Sequence, residues 1–349
     1  MAADAEAEDL TYTGGDLNIS SGNSLILYGT NSFFSNTGRF RGLGGGGELV
    51  NAGKIRWDGS GGETWWGRDT FMRIKPGAVW QMGGHSLSLT AGTLVNSGLM
   101  YIDSDTGPYI GGPGEIENDG VLRIMSTGGP STVVMNSVTT RTSGGNIFEC
   151  SGGVRINSMH DSGDHLRVIL ESGATFRKTG PGTLWTVRNR GTAYFNFHDG
   201  STAEIREGEL VTGEETKGQW EIRHGGSASW STLNFRLKIH DDCTMDYWDS
   251  VDITTIGPQG ELLLGGTNAV LKDSRNSPDG DSRIDSIDTI HGTLSLLNGA
   301  RLTAPNGLAV GTNATFNFGL HGPGPANALL TVNGDSSVDG TGATLLGGG

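Results

Sequence analysis

Cysteine is nearly absent: the 349 residues contain only Cys150 and Cys243. A disulfide-stapled scaffold needs more, and neither cysteine has metal-ligand spacing around it, so both read as small core residues. Proline is scarce at 10 residues, and charged residues make up only 18%. A coiled coil needs about half its residues from Ala, Glu, Lys, Leu and Arg, and collagen needs glycine at every third position; neither pattern is present. Positive charge is outnumbered, with 24 Lys+Arg against 38 Asp+Glu, a net charge of −14 and a pI near 4.9. Phosphate binding needs a basic face, so a nucleic-acid partner is excluded, while cations, sugars and protein surfaces remain. No apolar run approaches the ~20 residues of a membrane helix. No nucleophile elbow, zinc-protease helix or phosphate-binding loop occurs. Residues 1–10 are acidic and alanine-rich, without the basic region and apolar stretch of a signal peptide, and read as a disordered or trimmed start. The chain stops at Gly347-Gly348-Gly349 with no membrane barrel behind it, which is the expectation for a fragment of a longer protein.

What is abundant is glycine, at 60 residues, together with 8 Trp, 6 Tyr and 11 Phe and a hydrophobic share of 34%. Such a chain can bury a core and must turn often. Three nine-residue stretches match one another: Gly47-Glu48-Leu49-Val50-Asn51-Ala52-Gly53-Lys54-Ile55, Gly92-Thr93-Leu94-Val95-Asn96-Ser97-Gly98-Leu99-Met100 and Gly114-Glu115-Ile116-Glu117-Asn118-Asp119-Gly120-Val121-Leu122. Their starts are 45 and 22 positions apart, so the unit is about 22 residues, with a diverged copy at Phe71-Met72-Arg73-Ile74. Shorter Gly-x-Leu copies follow at Gly182, Gly208, Gly260 and Gly292.

Apolar and polar residues alternate over short runs such as Leu87/Leu89, Leu122/Ile124 and Leu166/Val168/Leu170, each closed by Gly, Asn or Ser. Period two over so few residues marks short strands, and no amphipathic helix pattern of ten residues occurs. Propeller blades need about 40 residues each, and a sandwich has no reason to repeat a turn at fixed spacing. The pattern predicts an all-β, right-handed parallel β-helix over residues 11–349, with a region over 212–290 that is irregular or protruding. About fifteen coils at ~4.8 Å per rung make a rod on the order of 70 Å long. The Asn-x-Gly positions supply the bends, where both residues tolerate positive φ, and Asn51, Asn96 and Asn118 are candidates for a stacked amide ladder. Cys150 and Cys243 fall about four rungs apart, too far to bond to each other.

Lys178-Thr179-Gly180-Pro181-Gly182-Thr183-Leu184, followed by Glu207-Gly208-Glu209-Leu210-Val211, resembles the strand repeats associated with autotransporter passenger domains and large bacterial surface proteins. Gly77-Ala78-Val79-Trp80, Gly173-Ala174-Thr175-Phe176, Gly299-Ala300-Arg301-Leu302 and Asn313-Ala314-Thr315-Phe316 resemble their turns. The resemblance implies a secreted, rod-like β-helix that displays, adheres or assembles, and it brings no catalytic residues with it.

Four regions carry candidate chemistry. Trp57, Trp65, Trp66 and Trp80 lie close together in the sequence beside Arg56, Glu63 and Arg68. Aromatic faces with charged neighbours suit a carbohydrate groove, while core packing or coverage of a solenoid end is the competing reading. Asp241, Asp242, Asp246, Asp249 and Asp252 form the densest acidic stretch, which reads as solvated surface, a sugar-processing acid/base pair or a calcium site. Asp279 and Asp281 flank Gly280 in a polar loop that can wrap calcium or simply join two coils. His160 and His165 are five positions apart in a turn-like segment.

The expectation from sequence is therefore a non-enzymatic, secreted structural or adhesive segment of a cell-surface or extracellular assembly. Its partner would be a carbohydrate or protein, with no cofactor beyond calcium. A polysaccharide lyase or glycoside hydrolase on the same fold is the second reading, and an end-to-end filament subunit the third.

Overall fold

The computed structural model describes residues 4–13, 17–34, 40–44, 47–58, 63–66, 71–83, 86–89, 92–158, 166–188, 193–212, 221–224, 231–247, 253–272, 286–319, 328–332, 336–338 and 344–347. These form a parallel β-solenoid. Every strand pairing is parallel, and strands adjacent in a sheet are one coil apart in sequence. The described residues contain one helical turn, Ser104–Thr106.

Each regular coil contributes one strand to each of three sheets. Sheet 1 has 10 strands, from Ala5–Ala7 to Glu221–His224; sheet 2 has 14, from Thr11–Tyr12 to Thr344–Gly347; sheet 3 has 11, from Leu17–Asn18 to Val270–Lys272. Toward the C-terminus a 5-stranded sheet 4, from Thr232–Leu233 to Ser336–Val338, takes the chain position that precedes sheet 2. A 2-stranded sheet 5, Arg301–Ala304 with Leu329–Val332, succeeds sheet 3. Sheet 2 alone runs from the first coil to the last. Fourteen rungs span about 60 Å along the axis.

The inward positions of sheet 2 show why this sequence coils. One column reads Ile55, Trp80, Met100, Leu122, Phe148, Phe176, Ala203, Leu237, Leu262 and Leu294, each in register with the next. All ten are buried, and each apolar side chain lies on the equivalent one a coil away. Ring contacts strengthen the stack: Phe34 on Trp57 at 5.4 Å, Phe148 on Phe176 at 5.7 Å and Phe197 on Phe235 at 4.6 Å between centroids.

The repeat is about 22 residues early and lengthens later: the step is 22 from Leu94 to Ile116, 28 from Thr140 to Val168 and 34 from Ala203 to Leu237. The segment 1–10 is not wholly disordered, since Ala5–Ala7 pairs with Leu25–Leu27 as the first rung of sheet 1. Within 212–290, the described strands Arg236–Ile239, Thr244–Tyr247 and Glu261–Leu264 stay in the stack and sheet 1 gives way to sheet 4, while 213–220, 225–230, 248–252 and 273–285 lie outside the described residues. Cys150 and Cys243 are both buried and free, as expected. They are three rungs apart rather than four, because the steps from Cys150 through Lys178 and Ile205 to Ile239 are 28, 27 and 34 residues.

The Asn-x-Gly bends work differently from the expectation. Neither these asparagines nor their glycines has positive φ. Asn51 accepts from the amide of Gly53 at 3.1 Å and donates through Nδ2 to the carbonyl of Val79 on the next coil at 2.9 Å. Asn96 and Asn118 donate likewise to Val121 and Ile147, each at 2.9 Å, so one side chain ties its own corner to the coil above. Asn96 Nδ2 also meets Asn118 Oδ1 at 2.8 Å, giving a true amide ladder for that pair. Asn51 is separated from it by Ile74 of the diverged copy. Glycine is required for clearance: a Cβ on Gly120 would sit 2.3 Å from the carbonyl oxygen of Gly98.

Candidate functional site

Burial decides two of the tryptophan candidates. In Lys54–Asp58 and Val79–Gly83, Trp57 alternates in phase with Ile55, and Trp80 with Met82, so both indoles point inward. They are 4% and 0% exposed and offer no face to a sugar. Trp65 and Trp66 belong to Glu63–Trp66, in register with Ser88 and Leu89, and their side chains lie outside the described residues.

The acidic stretch is divided among local partners. Asp241 accepts from the amides of Asp242 and Asn268, each at 3.2 Å, and Asp242 accepts from Asn268 Nδ2 at 2.7 Å. Asp246 is buried on the strand Thr244–Tyr247, with Lys272 Nζ at 3.9 Å. Asp249, Asp252, Asp279, Asp281, His160 and His165 lie outside the described residues. Among the described residues no group of three His, Cys, Asp or Glu is placed to hold a metal ion.

The segment Lys178–Leu184 forms a corner built around a buried lysine. Lys178 projects into the core between Cys150 and Ile205 of neighbouring coils and is fully buried. Its Nζ donates to the carbonyls of Thr179 at 2.9 Å, Gly180 at 2.6 Å and Glu207 at 3.2 Å. An ammonium has three donors, and here three carbonyls from two coils receive them. Gly180 and Gly182 take positive φ of 69° and 92°, which lets the corner curl its carbonyls inward over the lysine. Burial pushes the Lys178 amine below the ordinary lysine range, and burial pushes the Cys150 thiol up beyond the usual range. Cys150 is thus an unreactive thiol, and Lys178 an internal clamp.

The outward face of sheet 2 carries a column of alternating charge: Arg123, Glu149, Arg177, Glu204 and Lys238 on successive rungs. Arg123 pairs with Glu149 at 3.0 Å and Arg177 with Glu204 at 2.9 Å. Glu204 also receives Arg206 at 2.9 Å and His240 Nε2 at 3.2 Å. Burial alone would raise the Glu204 carboxyl, but hydrogen bonds from His240, Arg206 and Arg177 outweigh it and hold the group well below the usual carboxylate range. Lys238 turns to Glu261 on the next rung at 3.3 Å. These charges are spent between coils.

Sheet 1 differs. Its outward column reads Ser24, Glu48, Phe71, Thr93, Glu115, Thr139: one phenylalanine among polar residues. Phe71 is 44% exposed and lines an open groove of about 470 Å³ with Asp4, Gly22, Asn23, Ser24, Glu48 and Arg73. Arg73 Nε bonds Glu48 Oε1 at 2.9 Å, and Asp4 Oδ1 accepts from the amide and hydroxyl of Ser24 at 2.6 and 3.1 Å. Composition and spacing do not single out this site, since Phe71 stands alone in a short strand. The signal was the phase of Phe71-Met72-Arg73-Ile74, where buried Met72 and Ile74 force Phe71 and Arg73 outward. The chain matches no protein-family model, no curated protein and no solved structure.

Proposed function

We propose that this chain is a stiff structural and adhesive segment of a secreted, cell-surface or extracellular assembly, and that it displays a binding face rather than carrying out a reaction. The observation that supports this most is the unbroken 14-stranded sheet, whose middle outer face pairs its charges from coil to coil. Cross-rung pairing on a continuous parallel sheet resists bending and gives length with a defined face. The autotransporter-like corner at Lys178–Leu184 supports the same reading, because its lysine joins successive coils. In this proposal the acidic residues Asp241, Asp242 and Asp246 stabilise turns and strand pairing.

Two measurements test it. Solution scattering should give a rod with a long dimension of about 60 Å or more. Beads coated with the protein should adhere to cells or to extracellular polysaccharide. A compact particle, or depolymerisation of a polysaccharide by the purified chain, would overturn the proposal.

A further inference from the structure

We infer that the groove around Phe71 on sheet 1 is a binding site for a neutral saccharide; this deepens the adhesive reading above and rests on it. Among the described residues lining the groove, Phe71 is the only apolar side chain, and the others are polar or glycine. A pyranose needs that arrangement: one aromatic face for its CH groups and a ring of donors and acceptors for its hydroxyls. A hydrophobic peptide would want more apolar lining than a single ring.

The polar groups are suitably mixed. Arg73 is 46% exposed, engages Glu48 through Nε, and lies two residues after Phe71 on the same strand, in phase with it. The Glu48 side chain is 30% exposed and engages Arg73 through Oε1. Asp4 holds Ser24 through Oδ1, which anchors it at the groove edge. The remaining oxygens and terminal nitrogens are the acceptors and donors for sugar hydroxyls. Among the described lining residues carboxylates outnumber cations, Asp4 and Glu48 against Arg73, which disfavours an anionic sugar and favours a neutral one. The groove volume of about 470 Å³ falls within the range of small-ligand sites. Gly22, with φ of +78°, has no described atom within 4 Å of where a Cβ would stand.

The experiment is a screen of neutral and uronic-acid oligosaccharides, followed by calorimetry on the intact chain and three variants. Wild type should bind a neutral oligosaccharide, Phe71→Ala should weaken it about tenfold or more, and Phe71→Trp should retain it. Tyr28→Ala removes another exposed aromatic that does not line this groove and should leave affinity unchanged. Circular dichroism of each variant checks the fold, and Arg73→Gln provides a second perturbation that leaves the ring in place and should also weaken binding. Equal binding by wild type and Phe71→Ala, binding only of uronic-acid oligosaccharides, or no binding of any neutral sugar would overturn the inference. Coated beads that still adhere while no sugar binds would remove the groove and leave the adhesive reading standing. A rod that neither adheres nor binds would remove both.

Discussion

The corner before sheet 2 is built in two ways along the same rod. In three N-terminal coils it is polar: Asn51, Asn96 and Asn118 are buried there, each bonded to a carbonyl of the next coil, while Leu27 and Ile74 hold the same register position in neighbouring coils. In the C-terminal coils the corner follows sheet 4, and its last strand residues are Ile256, Ile290 and Val310, closed by backbone bonds such as Gly257 to Leu233 at 2.9 Å. Coil length does not sort cleanly with this difference: the steps from Ile55 through Trp80, Met100 and Leu122 to Phe148 are 25, 20, 22 and 26 residues, and those from Leu237 through Leu262 and Leu294 to Phe316 are 25, 32 and 22. A buried amide must meet one carbonyl at one distance, so it penalises any change in corner geometry. An aliphatic corner requires only burial, and insertions between its strands cost little.

The sharpest way to break this comparison is to exchange the chemistries. Asn118→Leu should cost about 3 kcal/mol, because the Ile147 carbonyl and Asn96 amide lose their partner. Ile256→Asn should cost about 2 kcal/mol, because a polar group enters an aliphatic corner. Urea midpoints measure both, and neutrality of either exchange would end the distinction. Gly120→Ala should follow at about 2 kcal/mol from the clash with Gly98, read from the same curves.

Glu204→Gln tests the outer charge column and should cost about 2 kcal/mol at pH 7. The Glu204 carboxyl is lowered in the folded state, so its contribution is full above the ordinary glutamate range near pH ~4.3 and is lost as pH falls toward its folded value. The gap between wild type and Glu204→Gln should therefore close on acidification, and a gap independent of pH would contradict the assignment. The smallest effect is expected at Asp105, whose carboxyl is lowered to about 2 by the Ser126 hydroxyl and, against some burial, by Thr127 and Gly128. Asp105→Asn should cost about 1 kcal/mol and speed amide exchange at Thr127 and Gly128, the two amides that donate to Asp105.

The coil was legible because its inward residues repeat: Leu49, Leu94 and Ile116 each follow Gly by two positions, and the structure stacks them with Met72 of the diverged copy between. The handover to sheet 4 was not, since Thr232–Leu233, Thr255–Ile256 and Thr289–Ile290 are too short to show alternation. The inward direction of Trp57 and Trp80 was available from their phase with Ile55 and Met82, but proximity in sequence suggested a shared surface. The Phe71 groove depends on Asp4, Ser24, Glu48 and Phe71 arriving from three successive coils and the segment before them, and only the register brings these together.

Because sheet 2 is the one sheet shared by the first coil and the last, any load between the rod's ends must cross it. At Thr202–Ile205 and Arg236–Ile239, where the sheet spans its 34-residue step, the Glu204 cluster clasps both sides of the joint. A tug on the tip is thus borne by one continuous spine, and its most extended link is the one whose glutamate clings to its charge longest as acid is added.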